Sequence, residues 1–280
     1  MQRPRKLGDI GRPPASTRPL RNVRLTVAYD GRRFKGFEVQ PGLLTVRGVL
    51  EEAIGKATGE KVGIHAAGRT DAGVHALGQV VSFFSRSRLP AEKLRMAIAD
   101  ELPDDVAISD LSFEARSFHA RHSAIARRYR YQIGTEKLPL LRNQVHWVRA
   151  RLDIDAMRSA AAMLPGKRDF AAFADVEPGD DTTLDLYECE VAVEPPLVLV
   201  DLLADRFLWK MARRIAGGLI AIGRHQVAPA AMADALREPD GPAAKELRTY
   251  TAPPQGLILL RVLYTGDIKP QAAKLRPLSE

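Results

Sequence analysis

The sequence predicts an α+β fold built from two α/β units with mainly antiparallel sheets. Three observations predict it. Short segments alternate with period two, helical apolar faces lie between them, and the same mixture recurs in each half of the 280-residue chain. At 45% apolar residues, that length supplies a core for one large domain or two of ordinary size.

Val23, Leu25, Val27 and Tyr29 alternate with Arg24, Thr26, Ala28 and Asp30, the pattern of a half-buried strand. Thr45 caps a helix whose apolar face is Val46, Val49, Leu50, Ala53, Ile54 and Ala57, and Gly59 stops it. Lys61–His65 and Gln79–Ser85 read as the next two strands. Pro90 opens a helix through Leu102, and Val106–Phe113 alternates again. Strand, helix, strand, strand, helix, strand is the order of ferredoxin-like and RNA-recognition-like units. A further strand, Arg127–Gly134, carries Tyr129, Tyr131 and Ile133 on one face and Arg128, Arg130 and Gln132 on the other.

The second half offers a helix at Asp153–Leu164, then strands at Leu186–Glu194 and Leu197–Ala204 joined at Pro195-Pro196. Helices at Arg206–Gly223 and Pro229–Leu236 and a strand at Leu257–Tyr264 complete it. No residue-level repeat links the halves. The expected division is a disordered basic tail (1–22), an N-terminal unit (23–145), a C-terminal unit (146–265) and a flexible tail (266–280), joined between Thr135 and Arg151.

Charge is unevenly placed. Residues 1–22 hold six basic side chains against Asp9, so five of the eight net positive charges sit there. The Pro- and Arg-rich tail lacks a secretory apolar segment and an amphipathic period. No run approaches the roughly 18 apolar residues that span a bilayer, so no membrane association is expected. The single cysteine, Cys189, forms no internal disulfide and reads as a small buried side chain. A cytoplasmic protein is the expectation.

Three constellations bear on chemistry. In Gly68–Ala76, Asp71 lies two residues after Arg69 on a glycine-containing loop, either an ordinary turn or a carboxylate beside a substrate clamp. Ala115–Thr135 contains no acidic residue and interleaves five arginines with Phe118, Tyr129 and Tyr131, the expected footprint of RNA contact. On the helix expected from Arg206, Arg206, Lys210, Arg213 and Gly217 share a face, and the glycine would admit a polyanion or a carboxylate. Phosphate-loop, dinucleotide and nucleophile-elbow motifs are missing. Asp71 and His75 have a spacing that could bind a metal, with His65 nearby as in a metal-dependent hydrolase, but no third ligand has convincing spacing, so no metal is expected.

Together these segments resemble the tRNA pseudouridine synthase A family from about Leu25 to Tyr264. The resemblance rests on Tyr29-Asp30-Gly31, Thr45-Val46, Gly68–Ala76, Gly78–Val81, Leu102–Asp105, Phe118–Arg121, Arg127–Tyr131, Met211–Arg213 and Thr251–Pro253 with Gln255–Leu257. It implies a pseudouridine synthase fold, a homodimer, a tRNA substrate, no cofactor, and isomerisation of uridine at positions 38 to 40 of the anticodon stem-loop. It also implies roles: Asp71 as the catalytic carboxylate, Arg69 in displacing the target nucleotide, Tyr129 under the base and assisting proton removal from C5, and Arg213 paired with Asp71. An enclosed carboxylate stays ionised and nucleophilic only beside a cation, which fits Arg213.

The chain departs from the family pattern at Gly36-Phe37-Glu38, Ala99-Asp100-Glu101, Asp181–Leu184 and Met211–Arg214. Glu38 places a carboxylate where the family has an amide. A non-catalytic RNA-binding protein on the same fold, and a synthase acting on another RNA, are the alternatives.

Overall fold

The computed structural model describes residues 19–265, so most of the basic tail and all of 266–280 lie outside the described residues. The strands are β1 (Arg21–Tyr29), β2 (His65–Ala66), β3 (His75–Ser85), β4 (Val106–Glu114), β5 (Ala124–Gly134), β6 (His146–Trp147), β7 (Gly166–Asp169), β8 (Thr183–Glu194), β9 (Leu197–Ala204) and β10 (Leu257–Tyr264). The helices are α1 (Val46–Thr58), α2 (Ala91–Ala99), α3 (Ile154–Ala161), α4 (Met211–Gly223), α5 (Ala231–Arg237) and α6 (Pro242–Arg248).

All ten strands join one sheet in the order β4-β1-β3-β10-β5-β9-β8-β7, with β2 on β3 and β6 on β5. The pairs are antiparallel except β3 with β10 and β5 with β6. The mixed, mostly antiparallel α+β architecture expected from the alternation is therefore present. In the first half, β4-β1-β3-β2 surrounds α1 and α2 in the ferredoxin-like order. The second half repeats that order as β10-β5-β9-β8, with α3 and α4 as the crossovers. The duplication is thus visible in the topology, where no repeat could be read from residues. Every strand paired with β5 begins after residue 145, so we propose a boundary between β4 and β5, earlier than the join expected between Thr135 and Arg151.

Alternation explains which face is covered. Val23, Leu25, Val27 and Tyr29 of β1 are buried in one core with Leu50 and Ile54 of α1 and Leu94 and Ile98 of α2. Thr45 caps α1 by accepting from the Gly48 amide, and Gly59 ends it at φ +71°. In the second half, Tyr129, Tyr131 and Ile133 join the same core as Ile215 and Leu219 of α4.

The helix expected from Arg206 begins only at Met211. Lys210 adopts φ +64°, a left-handed conformation that interrupts the helical path. α4 is buried nearly all round, so it is a core helix and not a cationic surface stripe. Gly217 also has another purpose. A Cβ there would stand 1.8 Å from the Tyr250 carbonyl oxygen, so the glycine lets the segment 250–252 lie against the helix. Gly217→Ala is expected to cost about 3 kcal/mol or more in urea unfolding, because backbone cannot yield as a side-chain tip does.

One row crosses the sheet where the units meet. Tyr29 registers with Ala76, Ala76 with Leu259, Leu259 with Tyr129, and Tyr129 with Leu202. At about 4.8 Å per strand step, Tyr29 and Tyr129 are fixed about 14 Å apart on the helix-covered face. The loop between β2 and β3 lies over this row.

Candidate active site

The loop carrying Asp71 is anchored at several points. The Tyr29 hydroxyl bonds Thr70 Oγ1 at 2.8 Å, and Gln79 Nε2 donates to the Gly68 carbonyl at 2.7 Å. The Phe37 amide donates to the Thr70 carbonyl at 3.0 Å. Arg127, buried, donates to the carbonyls of Ala67, Arg121 and Asp205, tying the base of the loop to β5 and to the turn after β9. A Cβ on Gly31 would meet the Val74 carbonyl oxygen at 2.0 Å, so only glycine allows the chain after β1 to touch the loop.

These anchors hold Asp71 against the second unit. Arg213 Nη1 donates to Asp71 Oδ2 at 2.8 Å, while Arg213 Nε donates to the Ala252 carbonyl at 2.9 Å. The guanidinium is thus aimed by the backbone that Gly217 admits. Trp209 Nε1 donates to Asp71 Oδ1 at 3.1 Å. The side chains of Arg213 and Asp71 are 15% and 23% exposed, so the pair is recessed yet open on one side. Such a pair feels a lower dielectric than a surface pair.

Tyr129 is 6% exposed, with its ring edge-to-face on Phe207 at 4.8 Å. Its hydroxyl lies beside Gly68, 3.7 Å from where a Cβ would stand. Burial first, then the neighbouring Tyr29 and Asp71, push its phenol well above the ordinary value, despite Arg127. Burial likewise pushes the Tyr29 phenol up to about 12. Both are neutral near pH 7. The structure therefore brings Asp71, Arg213 and Tyr129 together. Arg69 stands apart from them, 72% exposed, and bonds Glu38.

Trp209 and Phe207 were missed by sequence reasoning, which had this segment as the first turn of a helix. Two aromatics at alternate positions after a strand were the available signal. Their turn is fixed by Asp175, whose amide donates to the Trp209 carbonyl at 3.1 Å. Its carboxylate pairs with Lys210 at 2.5 Å and with Arg214. Burial raises the Asp175 carboxyl, but the bonds from Lys210 and Arg214 outweigh it and hold it below the ordinary 3.8. This contribution to stability is therefore complete at neutral pH and is lost as pH falls through the lowered value. Asp175→Asn is expected to cost about 2 kcal/mol in thermal unfolding, the buried-pair cost reduced by partial solvation.

The residues match the tRNA pseudouridine synthase family over 25–123 and 160–265. The tRNA pseudouridine synthase A of Thermoanaerobacter sp. (strain X514) is 38% identical over 88% of this chain and 100% of its own. That of Moorella thermoacetica is 39% identical over 86% and 99%, and that of Caldicellulosiruptor bescii 36% over 88% and 100%. The chain belongs to the tRNA pseudouridine synthase A family. Among solved structures, a chain of a Cbf5-Nop10-Gar1 complex aligns over 71% of this chain and 45% of that one, at 11% identity and a TM-score of 0.32. That likeness is too remote to carry weight.

Within this family member, much of the basic stretch is spent internally. Arg127 serves backbone carbonyls, Arg128 pairs with Glu188 at 2.6 Å, and Arg130 pairs twice with Asp201 at 2.8 Å. Arg116, Arg121 and His122 remain exposed. Arg206, expected on the helical stripe, instead pairs with Asp181 at 2.5 Å. Both ring nitrogens of His75 are engaged, one accepting from the Gly31 amide at 3.2 Å and the other facing the Asn143 carbonyl at 3.0 Å. The His65 ring packs at a tilt against His119, with centroids 4.6 Å apart. Among the described residues no group of three or more His, Cys, Asp or Glu could hold a metal, and no helix is long and apolar enough to cross a membrane. Cys189 is buried, as its alternating segment suggested. A cavity of about 610 Å³, lined by Leu77, Leu197 and Leu199, contains none of the four candidate residues.

Proposed function

We propose that this protein isomerises uridine to pseudouridine in the tRNA anticodon stem-loop, at positions 38 to 40, with Asp71 as the catalytic carboxylate. The observation that carries the reading is the carboxylate of Asp71 held by Arg213 at 2.8 Å beside the buried ring of Tyr129.

The target base must leave its stack, which costs a few kcal/mol and is easiest in a loop or weak stem. Arg69, exposed beside the recess, contacts the RNA as the nucleotide moves out. The carboxylate of Asp71 initiates cleavage of the bond between N1 and C1′. The freed uracil stays against the Tyr129 ring and turns, and C5 then bonds C1′. N1 gains a proton and C5 loses one, so the reaction is balanced without oxidant, reductant or added energy. The Tyr129 ring packs under the base, and the neutral phenol, its pKa raised by burial, can assist proton removal from C5 only after giving up its own proton.

The reading is tested by incubating the protein with unmodified tRNA, with and without excess chelator, and mapping pseudouridine along each product. Pseudouridine at positions 38 to 40 is expected. Modification elsewhere would redirect the target, and none at all would refute the activity. Loss of activity under chelation would favour a metal-dependent reaction. A cytoplasmic homodimer is proposed on the family likeness, supported by exposed Leu77 and Leu141 beside the apolar cavity. Light scattering should show two chains per particle.

A further inference from the structure

Glu38 is bonded to the loop that carries Asp71 through Arg69. It lies on the segment strapped to the catalytic loop by the Phe37 amide and the Thr70 carbonyl. Its two oxygens face two cations. Oε2 accepts from Arg47 Nη1 at 2.9 Å, and Oε1 accepts from Arg69 Nε at 3.2 Å. Arg47 is held in turn by Glu51 at 2.8 Å, and the same Glu51 oxygen takes the Ile64 amide at 3.1 Å. The Glu38–Arg47 side is therefore fixed to α1 and to the chain entering β2. The Arg69 side is loose. Arg69 is 72% exposed and has no partner but Glu38 among the described residues. The bond uses Nε, leaving both terminal nitrogens to solvent.

We propose that Glu38 is a positioning residue, a latch that parks Arg69 beside the catalytic loop until an RNA phosphate takes its place. This rests on the RNA-modifying function proposed above. A guanidinium offers a phosphate two parallel donors, whereas Glu38 holds it by one at 3.2 Å. Exchange is therefore favourable once RNA arrives. The carboxylate left behind keeps Arg47 and repels the backbone, so RNA that cannot reach Arg69 correctly is penalised. The latch thus trades affinity for selectivity. It acts through Arg69 and touches no reacting atom.

The test is a double-mutant cycle on tRNA affinity with E38Q, R69A and the pair, each checked for wild-type melting temperature. E38Q should tighten tRNA binding about 3- to 10-fold at low salt, lowering KM more than it changes kcat. The gain should shrink as salt is raised, since exposed charges are screened. In the R69A background, E38Q should give less than a third of that gain. Unchanged or weaker binding by E38Q overturns the latch. An equal gain without Arg69 also overturns it, because Glu38 would then act only as a distant repulsive charge. Binding is read directly, so a wild-type protein that binds tRNA yet forms no pseudouridine would refute the function and leave the cycle readable.

Discussion

Asp71→Asn is expected to abolish pseudouridine formation while leaving tRNA affinity within about threefold of wild type. The substitution is nearly isosteric, so the contacts with Arg213 Nη1 and Trp209 Nε1 can both be offered an amide oxygen, though only one at a time. What is lost is a full negative charge and its nucleophilicity. Removing a reacting nucleophile typically costs about 10⁴- to 10⁶-fold in kcat, and the deficit should appear in kcat. Nucleoside mass spectrometry of tRNA incubated to completion, together with an equilibrium binding curve, checks both halves. Weak binding with a normal turnover rate would instead make Asp71 an RNA contact.

Arg213→Ala should have the second largest effect. Arg213 makes one bond to the carboxylate and one to Ala252, so its removal leaves Asp71 with only the Trp209 indole. Truncating one partner of a recessed, hydrogen-bonded charge pair costs about 2 to 5 kcal/mol. Taking about 3 kcal/mol as the loss at the transition state, single-turnover rate should fall ~10²-fold. Arg213→Lys should recover part of that rate, because a lysine restores charge but not two bonds at right positions. Equal defects for alanine and lysine would mean the fork geometry matters more than the charge. A wild-type rate for Arg213→Ala would remove this residue from the mechanism.

Periodicity made the main framework legible because it reports burial directly. The alternation at Val23–Tyr29 and the face of Val46–Ala57 both correspond to buried surfaces of β1 and α1. The segments that escaped were short. β6 and β7 have two and four residues, and α6 has seven beginning at Pro242, too few for a period to emerge. The insertion of β10 between β3 and β5 joins residues nearly two hundred positions apart in a chain of 280, and no local pattern encodes that choice.

The Asp71 loop was legible because glycines and a carboxylate stood together in a recognisable motif. The partners of Asp71 were harder. Arg213 stood out on the cationic helical face, but its pairing with Asp71 came only from the resemblance, and Trp209 was hidden because the left-handed Lys210 breaks what reads as one helix. The arginines of β5 show the opposite failure. By composition they suggest RNA contact, but Arg127 finds carbonyls at residues 67, 121 and 205, and Arg128 and Arg130 find carboxylates on neighbouring strands. Whether a guanidinium is free depends on such distant acceptors. Arg69 stays exposed and bonds a carboxylate, Glu38, that the motif alone gave no reason to pair with it.

The chemistry assigned to Asp71 is tested most directly by single-turnover release of tritium from C5 of uridine in labelled tRNA, with enzyme in excess and all RNA bound. Wild type should release label as C5 bonds to the sugar, and Asp71→Asn should release none over the same period. Release by Asp71→Asn at the wild-type rate would contradict the assignment.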